Sequence, residues 1–288
     1  MTQAVYVEDV NYVRNNENQK IFSYYTEAEK HLEARPLIVW IHGFAEHSMR
    51  YLDIIQFFSK AGYSSLAYDC RGHGRSEGKR AYVRDFDDYF NDLDSVLGHY
   101  RGELKGRKIF FIGHSMGGLT LSRYLEQLNN PPYDLRAAIL SSPFFGVYKE
   151  PNIAEKVSSK ILSNVYPHIM FPTGLNSNDL SHDLKVVKAY ENDPLVFSST
   201  TPAWFESVVR QHELVMSEAH RIKVPLHILF SGCDKIVDPS KTKQFYELLP
   251  DNIEKSLTEY DELFHEIFNE VEKDKPYEKA KEILDSYL

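Results

Sequence analysis

The stretch KIFFIGHSMGGLT, Lys108 to Thr120, limits the fold more than any other. Ile109 to Ile112 is β-branched and aromatic throughout, as a strand buried on both faces requires. Gly113-His114-Ser115-Met116-Gly117 follows at once. From Leu119 the chain runs on through Arg123 and Tyr124 without Pro or Gly, as a helix would. A strand turning directly into a helix needs backbone room on both sides of the central residue, and glycine supplies it by lacking a Cβ. Gly113-x-Ser115-x-Gly117 is the spacing of a nucleophile elbow, which lifts a serine clear at the end of a strand. The N–H groups that open the helix aim at the same spot and favour developing negative charge. A glycine-rich turn with an incidental serine has the same letters, so the serine's partners must decide.

The unit repeats along the chain. Strand-like runs at 21–27, 37–41, 64–69, 108–113, 136–142, 225–232 and 255–260 alternate with helical stretches near 51–61, 85–100, 116–129, 240–248 and 276–287. Such alternation predicts an α/β fold, a mostly parallel sheet with helices on both faces. Ligands in such sheets bind outside the carboxyl ends of the strands, where Ser115 falls.

The rhythm breaks from 147 to 205, a stretch carrying Pro151, Pro167, Pro172, Pro194 and Pro202 and a helical piece near 152–165. It lies between two sheet strands. The expectation is therefore a core of residues 1–146 and 206–288 with a cap (lid) insertion, 147–205, over the carboxyl edge. In the cap, Ile153, Val157, Ile161, Leu162 and Val165 recur at helical spacing and share one face. Ile169, Met170 and Phe171 follow between two prolines. An apolar loop beside an amphipathic helix, above the active-site edge, suits capture of a substrate held in a membrane.

A serine hydroxyl needs a base, and the base needs an acid to orient it. In this kind of sheet the chain order is Ser, then Asp or Glu, then His. HILFSGCD puts Asp234 just past a late strand. Asp238 competes, although a loop acid capping the helix near 240 describes it better. Beyond position 234 one histidine remains, His265, in the loop after KSLTEY. Two backbone N–H groups must hold the oxyanion of an acyl-transfer intermediate. The sequence offers Met116, after the serine, and Phe44, in the loop after LIVWI. Asp69 also ends a strand but precedes Ser115, so its order is wrong.

Other classes fit poorly. A net charge of −9 and a pI near 5.7 argue against a nucleic-acid partner. Two cysteines are too few for a disulfide framework or a zinc site, and the histidines show no metal-ligand spacing. YDCRGHGRSEGKR at 68–80 misses the phosphate-loop spacings and reads as structural packing near the elbow. No metal and no cofactor are expected. MTQAVYVEDV carries acids and no apolar core, unlike a signal peptide, and no run approaches the ~18 apolar residues of a membrane span. The expectation is a cytoplasmic protein, peripheral to a membrane at most, of open oligomeric state.

Six segments in order, IHGFAEHSMRY, YDCRGHGRSEGKR, GHSMGG, YENDPLV, SGCDKIVDP and FHEIFNE, resemble the monoacylglycerol lipase and lysophospholipase branch of the α/β-hydrolases. The resemblance covers nearly the whole chain. It implies the α/β-hydrolase fold and serine esterase action on a single-chain glycerolipid under a mobile cap. By matching position it also implies that Glu46, Arg50 and Tyr190 line the route of the glycerol head group. On spacing alone, Glu46 and Arg50 equally describe a surface i,i+4 pair, and Tyr190 a packing residue. Lysophospholipase, general carboxylesterase and serine aminopeptidase keep the same triad. The last would need acids for a substrate amino terminus, which Glu191, Asp193 and Asp183 could supply. A hydrolase-fold scaffold without catalysis usually lacks a triad member.

Overall fold

Apolar residues occupy both faces of the central strands, and this decides the architecture. The computed structural model describes residues 9–149 and 153–288. Strands β1 (Asp9–Arg14), β2 (Lys20–Thr26), β3 (Leu37–Ile41), β4 (Ser64–Tyr68), β5 (Lys108–His114) and β6 (Asp134–Ser141) precede the insertion. β7 (Phe171–Pro172) and β8 (Ser199–Thr200) pair with each other inside it, and β9 (Leu226–Ser231) and β10 (Lys255–Tyr260) follow it. Eight strands form one sheet in the order β1-β2-β4-β3-β5-β6-β9-β10. β2 is antiparallel to both its neighbours, and every pairing beyond β4 is parallel.

The helices are α1 (Leu52–Ala61), α2 (Asp87–His99), α3 (Arg101–Leu104), α4 (Met116–Gln127), α5 (Ile153–Val165), α6 (Leu184–Asn192), α7 (Pro202–Glu218), α8 (Pro239–Leu248) and α9 (Asp274–Asp285). Side chains alternate across a strand, so a strand apolar at every position needs cover on both sides. In β3, Ile38 and Trp40 join Ile54 and Phe58 of α1 and Tyr277 and Leu284 of α9. Leu37, Val39 and Ile41 join Leu93 of α2, Leu119 of α4, Val208 of α7 and Phe245 of α8. This is the α/β-hydrolase architecture. Among the described residues, no helix is long and apolar enough to cross a membrane.

Two differences from the sequence expectation have physical causes. β1 was not foreseen, because an edge strand with Val10 and Tyr12 half exposed carries no continuous apolar run. Helix α7 was also missed, and the expected cap boundary at 205 falls inside it. Thr201 caps it by accepting from the Trp204 N–H, with Pro202 in the first turn. Trp204, Val208 and Val215 then pack into the sheet core, so most of α7 belongs with the core helices.

Candidate active site

The elbow is built from backbone constraints. Ser115 joins β5 to α4 at φ 51° and ψ −117°, a conformation uncommon for a residue with a Cβ. Its N–H donates to Ser141 O at 3.0 Å, and its carbonyl accepts from Phe144 and Leu119 N–H groups at 3.0 and 3.1 Å. A Cβ on Gly117 would lie 2.1 Å from Ile41 O, so only glycine lets α4 approach β3 this closely. Met116 is the first residue of α4, and its N–H is among those with no partner inside the helix.

His265 and Asp234 arrive from separate loops. Asp234 follows β9, and His265 follows β10. His265 Nδ1 lies 2.6 Å from Asp234 Oδ2, with both residues buried. The other carboxylate oxygen, Oδ1, accepts from Ile236 and Val237 N–H groups at 2.8 and 3.0 Å. Burial opposes a charge on His265. The Asp234 charge and hydrogen bond, with Glu266 and Glu46, outweigh it and raise the imidazole pKa above its ordinary value. Asp238 instead caps α8, accepting from Ser240 N–H at 2.9 Å. Asp69 is a buried tie between loops, accepting from Ser48 N–H, Ser48 Oγ and Arg75 N–H at 2.6–2.8 Å.

Ser115 and His265 open into one cavity of about 510 Å³. Phe44 lines it, its ring centre 3.8 Å from that of Trp204 and tilted 32° to it, and the insertion contributes Thr173, Leu175, Leu180 and Tyr190 to its wall. The insertion is tied down close to His265: Glu266 N–H donates to Leu180 O at 2.8 Å, and His182 Nδ1 lies 2.8 Å from Glu270 Oε1.

Glu46 and Tyr190 both line the cavity, whereas Arg50 is not among the lining residues. Arg50 is no surface residue either. It donates to Glu46 Oε2 at 2.6 Å and, through Nη1 and Nη2, to both oxygens of Glu266 at 2.7 and 2.8 Å. Its guanidinium carbon lies 4.9 Å from the Tyr190 ring centre. Glu46 Oε1 accepts from Gly43 N–H at 2.6 Å and from Tyr51 OH at 2.7 Å. Burial alone would raise the Glu46 pKa, but the Arg50 charge leads the effects that hold it well below the carboxylate range. Sequence reasoning missed Glu266, whose only local signal was its place next to His265. The acids expected for an aminopeptidase do not converge on the cavity. Asp183 caps α6, Glu191 accepts from Ser177 Oγ at 2.5 Å, and Asp193 pairs with His47 at 2.9 Å.

Fold and site together define a serine hydrolase of the α/β-hydrolase class. A family model described as "Serine aminopeptidase, S33" matches residues 32–272. The chain belongs to that family, in the branch of the α/β-hydrolases that holds the monoacylglycerol lipases. It is similar to a phospholipase, YtpA, of Bacillus subtilis, with 30% identity over 88% of this chain and 96% of the relative. It is similar at 30% identity to a monoacylglycerol lipase of Mycolicibacterium smegmatis, over 83% of this chain and 84% of the other. Among solved structures, the monoacylglycerol lipase of Paleococcus ferrophilus superposes with a TM-score of 0.80 at 30% identity, covering 92% of this chain and 99% of that one.

Proposed function

We propose that this protein is a lipid ester hydrolase that releases the fatty acid from monoacylglycerol-like, single-chain lipids through an acyl-enzyme on Ser115. Ser115 Oγ attacks the ester carbonyl, and His265 takes its proton through Nε2. Asp234 holds the imidazole with Nδ1 protonated and supports the positive charge that forms. Met116 and Phe44 N–H groups hold the oxyanion. His265 then protonates the departing glycerol oxygen, and water, deprotonated by His265, hydrolyses the acyl-enzyme.

The observation that carries the reading is the buried Asp234–His265 pair, whose His265 opens with Ser115 into a cavity that Glu46 and Glu266 also line. There Glu46 and Glu266 both pair with Arg50, two carboxylates on one guanidinium. A neutral glycerol head group suits such a lining better than a phosphate does. The relatives named monoacylglycerol lipase support the same choice. Residues 147–205 act as the cap. Its Ile161, Val165, Tyr166, Ile169, Met170 and Phe171 are exposed. Phe171 lies two residues before Thr173 of the cavity wall, so an exposed apolar surface runs up to the site. The reading assigns it to a bilayer surface. Ile153 and Val157 belong to the same sequence pattern, but their side chains lie outside the described residues.

A lysophospholipase is the second reading. Lys149 and Lys235 both line the cavity and could meet a phosphate, and the Bacillus subtilis relative is named a phospholipase. The test is hydrolysis of monoacylglycerols, lysophospholipids and aminoacyl amides of matched chain length, with fluorophosphonate labelling of the native protein and Ser115→Ala. Monoacylglycerol turnover above the rest, with labelling that needs Ser115, is the expected outcome. Faster lysophospholipid turnover would favour the second reading, and labelling that survives in Ser115→Ala would overturn both.

A further inference from the structure

We infer that Glu266 is a positioning residue, one end of a buried Glu266–Arg50–Glu46 strut that holds the loop of the base and the oxyanion loop in fixed register. The inference rests on the triad and oxyanion reading above and extends it to a residue that touches none of the reacting atoms in that scheme.

The geometry is a chain of four polar contacts. Glu266 follows His265 directly in the chain. Its two oxygens accept from Arg50 Nη1 and Nη2 at 2.7 and 2.8 Å, a two-point contact that fixes the guanidinium plane. Arg50 Nη1 also donates to Glu46 Oε2 at 2.6 Å. Glu46 Oε1 then accepts from Gly43 N–H at 2.6 Å, one residue before Phe44. Glu46 and Glu266 are each 3% exposed, so solvent screens these contacts little. The strut is braced on both sides. Asn269 Nδ2 donates to Glu266 Oε2 at 2.8 Å, Tyr51 OH donates to Glu46 Oε1 at 2.7 Å, and the Tyr190 ring covers the guanidinium.

Such an arrangement does something a plain stabilising pair does not. The elbow sets Ser115 from β5 and α4, but the base and the Phe44 N–H come from loops after β10 and β3, which are not neighbours in the sheet. Sheet hydrogen bonding therefore links them only through β5, β6 and β9. The strut links the two loops directly, through side chains. Catalysis depends on sub-ångström placement of these groups, and about 1 Å of misplacement costs roughly 100-fold.

The strut also has an electrical side. The charged and titratable groups around His265 are Asp234 from the loop after β9, Glu266 in its own loop, Glu46 from the loop after β3, and His114 at the end of β5, 4.9 Å away ring to ring. Lys235 and Asp179 line the same cavity. Asp234, Glu266 and Glu46 all favour the imidazolium. Removing the charge of Glu266 should thus move the acidic limb of the rate profile to lower pH.

The test uses p-nitrophenyl butyrate, so it does not depend on identifying the natural lipid. Glu266→Gln keeps the shape and one acceptor for Arg50 but removes the charge. Arg50→Lys keeps the charge but loses the planar fork that meets both oxygens of Glu266 while also reaching Glu46. The expected result is a kcat lowered about 10- to 100-fold in each. KM should change little, and in Glu266→Gln the acidic limb of kcat/KM should shift down. Glu46→Gln combined with Glu266→Gln should cost much less than the product of the single losses, as for residues acting as a unit. Near-ultraviolet circular dichroism and active-site titration count the folded sites, so kcat is referred to these alone. An unchanged kcat and limb in Glu266→Gln, with Ser115→Ala inactive, would overturn the strut alone. Hydrolysis that persists in Ser115→Ala would overturn both readings. Losses that multiply in the double variant would reduce Glu266 to an independent packing residue.

Discussion

Asp234 and His265 stand 31 residues apart in the chain and 2.6 Å apart in space, with the second carboxylate oxygen of Asp234 held by two backbone N–H groups. Backbone as well as imidazole thus holds the Asp234 carboxylate in place. Asp234→Asn should leave the loop in place but present an amide that favours the wrong tautomer, with a kcat loss of roughly 10⁴-fold. Asp238→Asn should be nearly silent, because asparagine caps a helix about as well as aspartate. Steady-state hydrolysis of p-nitrophenyl butyrate separates the two. A greater loss in Asp238→Asn would make that residue the acid.

The pH dependence has two opposite parts. The His265 pKa is raised, so under the proposed mechanism its neutral form is lost as pH falls through a value above the ordinary 6.5, and the acidic limb of kcat/KM should lie there. For stability, this group alone favours the fold below its unfolded pKa, and its contribution fades as pH rises through the folded one. His42, His73, His114 and His227 shift the other way, chiefly through burial, with His73 pushed down to about 3 and His114 and His227 to about 4. Between those values and 6.5 the unfolded chain binds more protons at these sites, so stability falls as pH falls. Glu126 joins His265 on the opposite side: burial pushes its carboxyl up to about 8, so it favours the fold as pH falls from there. Four depressed histidines against these two raised groups predict a melting temperature that drops from pH 7 to pH 5. A flat or rising profile would contradict this balance.

Glycine contacts predict a sharp contrast between two similar changes. Gly117→Ala drives a Cβ to 2.1 Å from Ile41 O and 2.6 Å from His42 O, both backbone atoms that cannot turn aside. It should destabilise by about 1–3 kcal/mol or more and disturb the loop that carries Phe44. Gly98 sits inside α2 with nothing within 4 Å of its would-be Cβ. Gly98→Ala should stabilise by about 0.5–1 kcal/mol. Thermal melts of the two variants, compared with the native protein, check both signs at once.

These contrasts follow what was legible beforehand. The strands at 37–41 and 255–260 match their expected bounds: LIVWI is an unbroken apolar run, and KSLTEY mixes polar residues with Leu257, Thr258 and Tyr260. The elbow was legible because its glycines are forced by contacts within a few residues of the serine and with the neighbouring strand. Arg50 was not. Its local partner Glu46 is four residues away and looks like a surface pair, while its other partner is 216 residues away. No periodicity or composition reports a contact at that separation. Helix α7 was missed although Thr201-Pro202 is a helix start signal, because the clustered prolines of 147–205 masked the change back to helical rhythm.

The apolar surface of residues 161–171 carries the last prediction. Ile169, Met170 and Phe171 are exposed, as are Ile161, Val165 and Tyr166 at the end of α5 and just after it. Exposed large apolar side chains are common singly, but a contiguous sequence of them is not. Packing within this chain does not account for them, since their surface remains open to solvent. If this surface rests on a bilayer, it sets the cavity mouth against the lipid, and an acyl chain can enter without crossing water. Each methylene kept from water is worth about 0.8 kcal/mol, so the advantage should grow with chain length. Replacing Ile169, Met170 and Phe171 together with serine should weaken sedimentation with phosphatidylcholine vesicles. It should also lower hydrolysis of long-chain monoacylglycerol in those vesicles, while leaving kcat on soluble p-nitrophenyl butyrate near the native value. That split matters, because a variant that merely unfolds would lose both substrates together. Unchanged vesicle binding with an unchanged preference for long chains would show that these residues do not dock the protein on lipid.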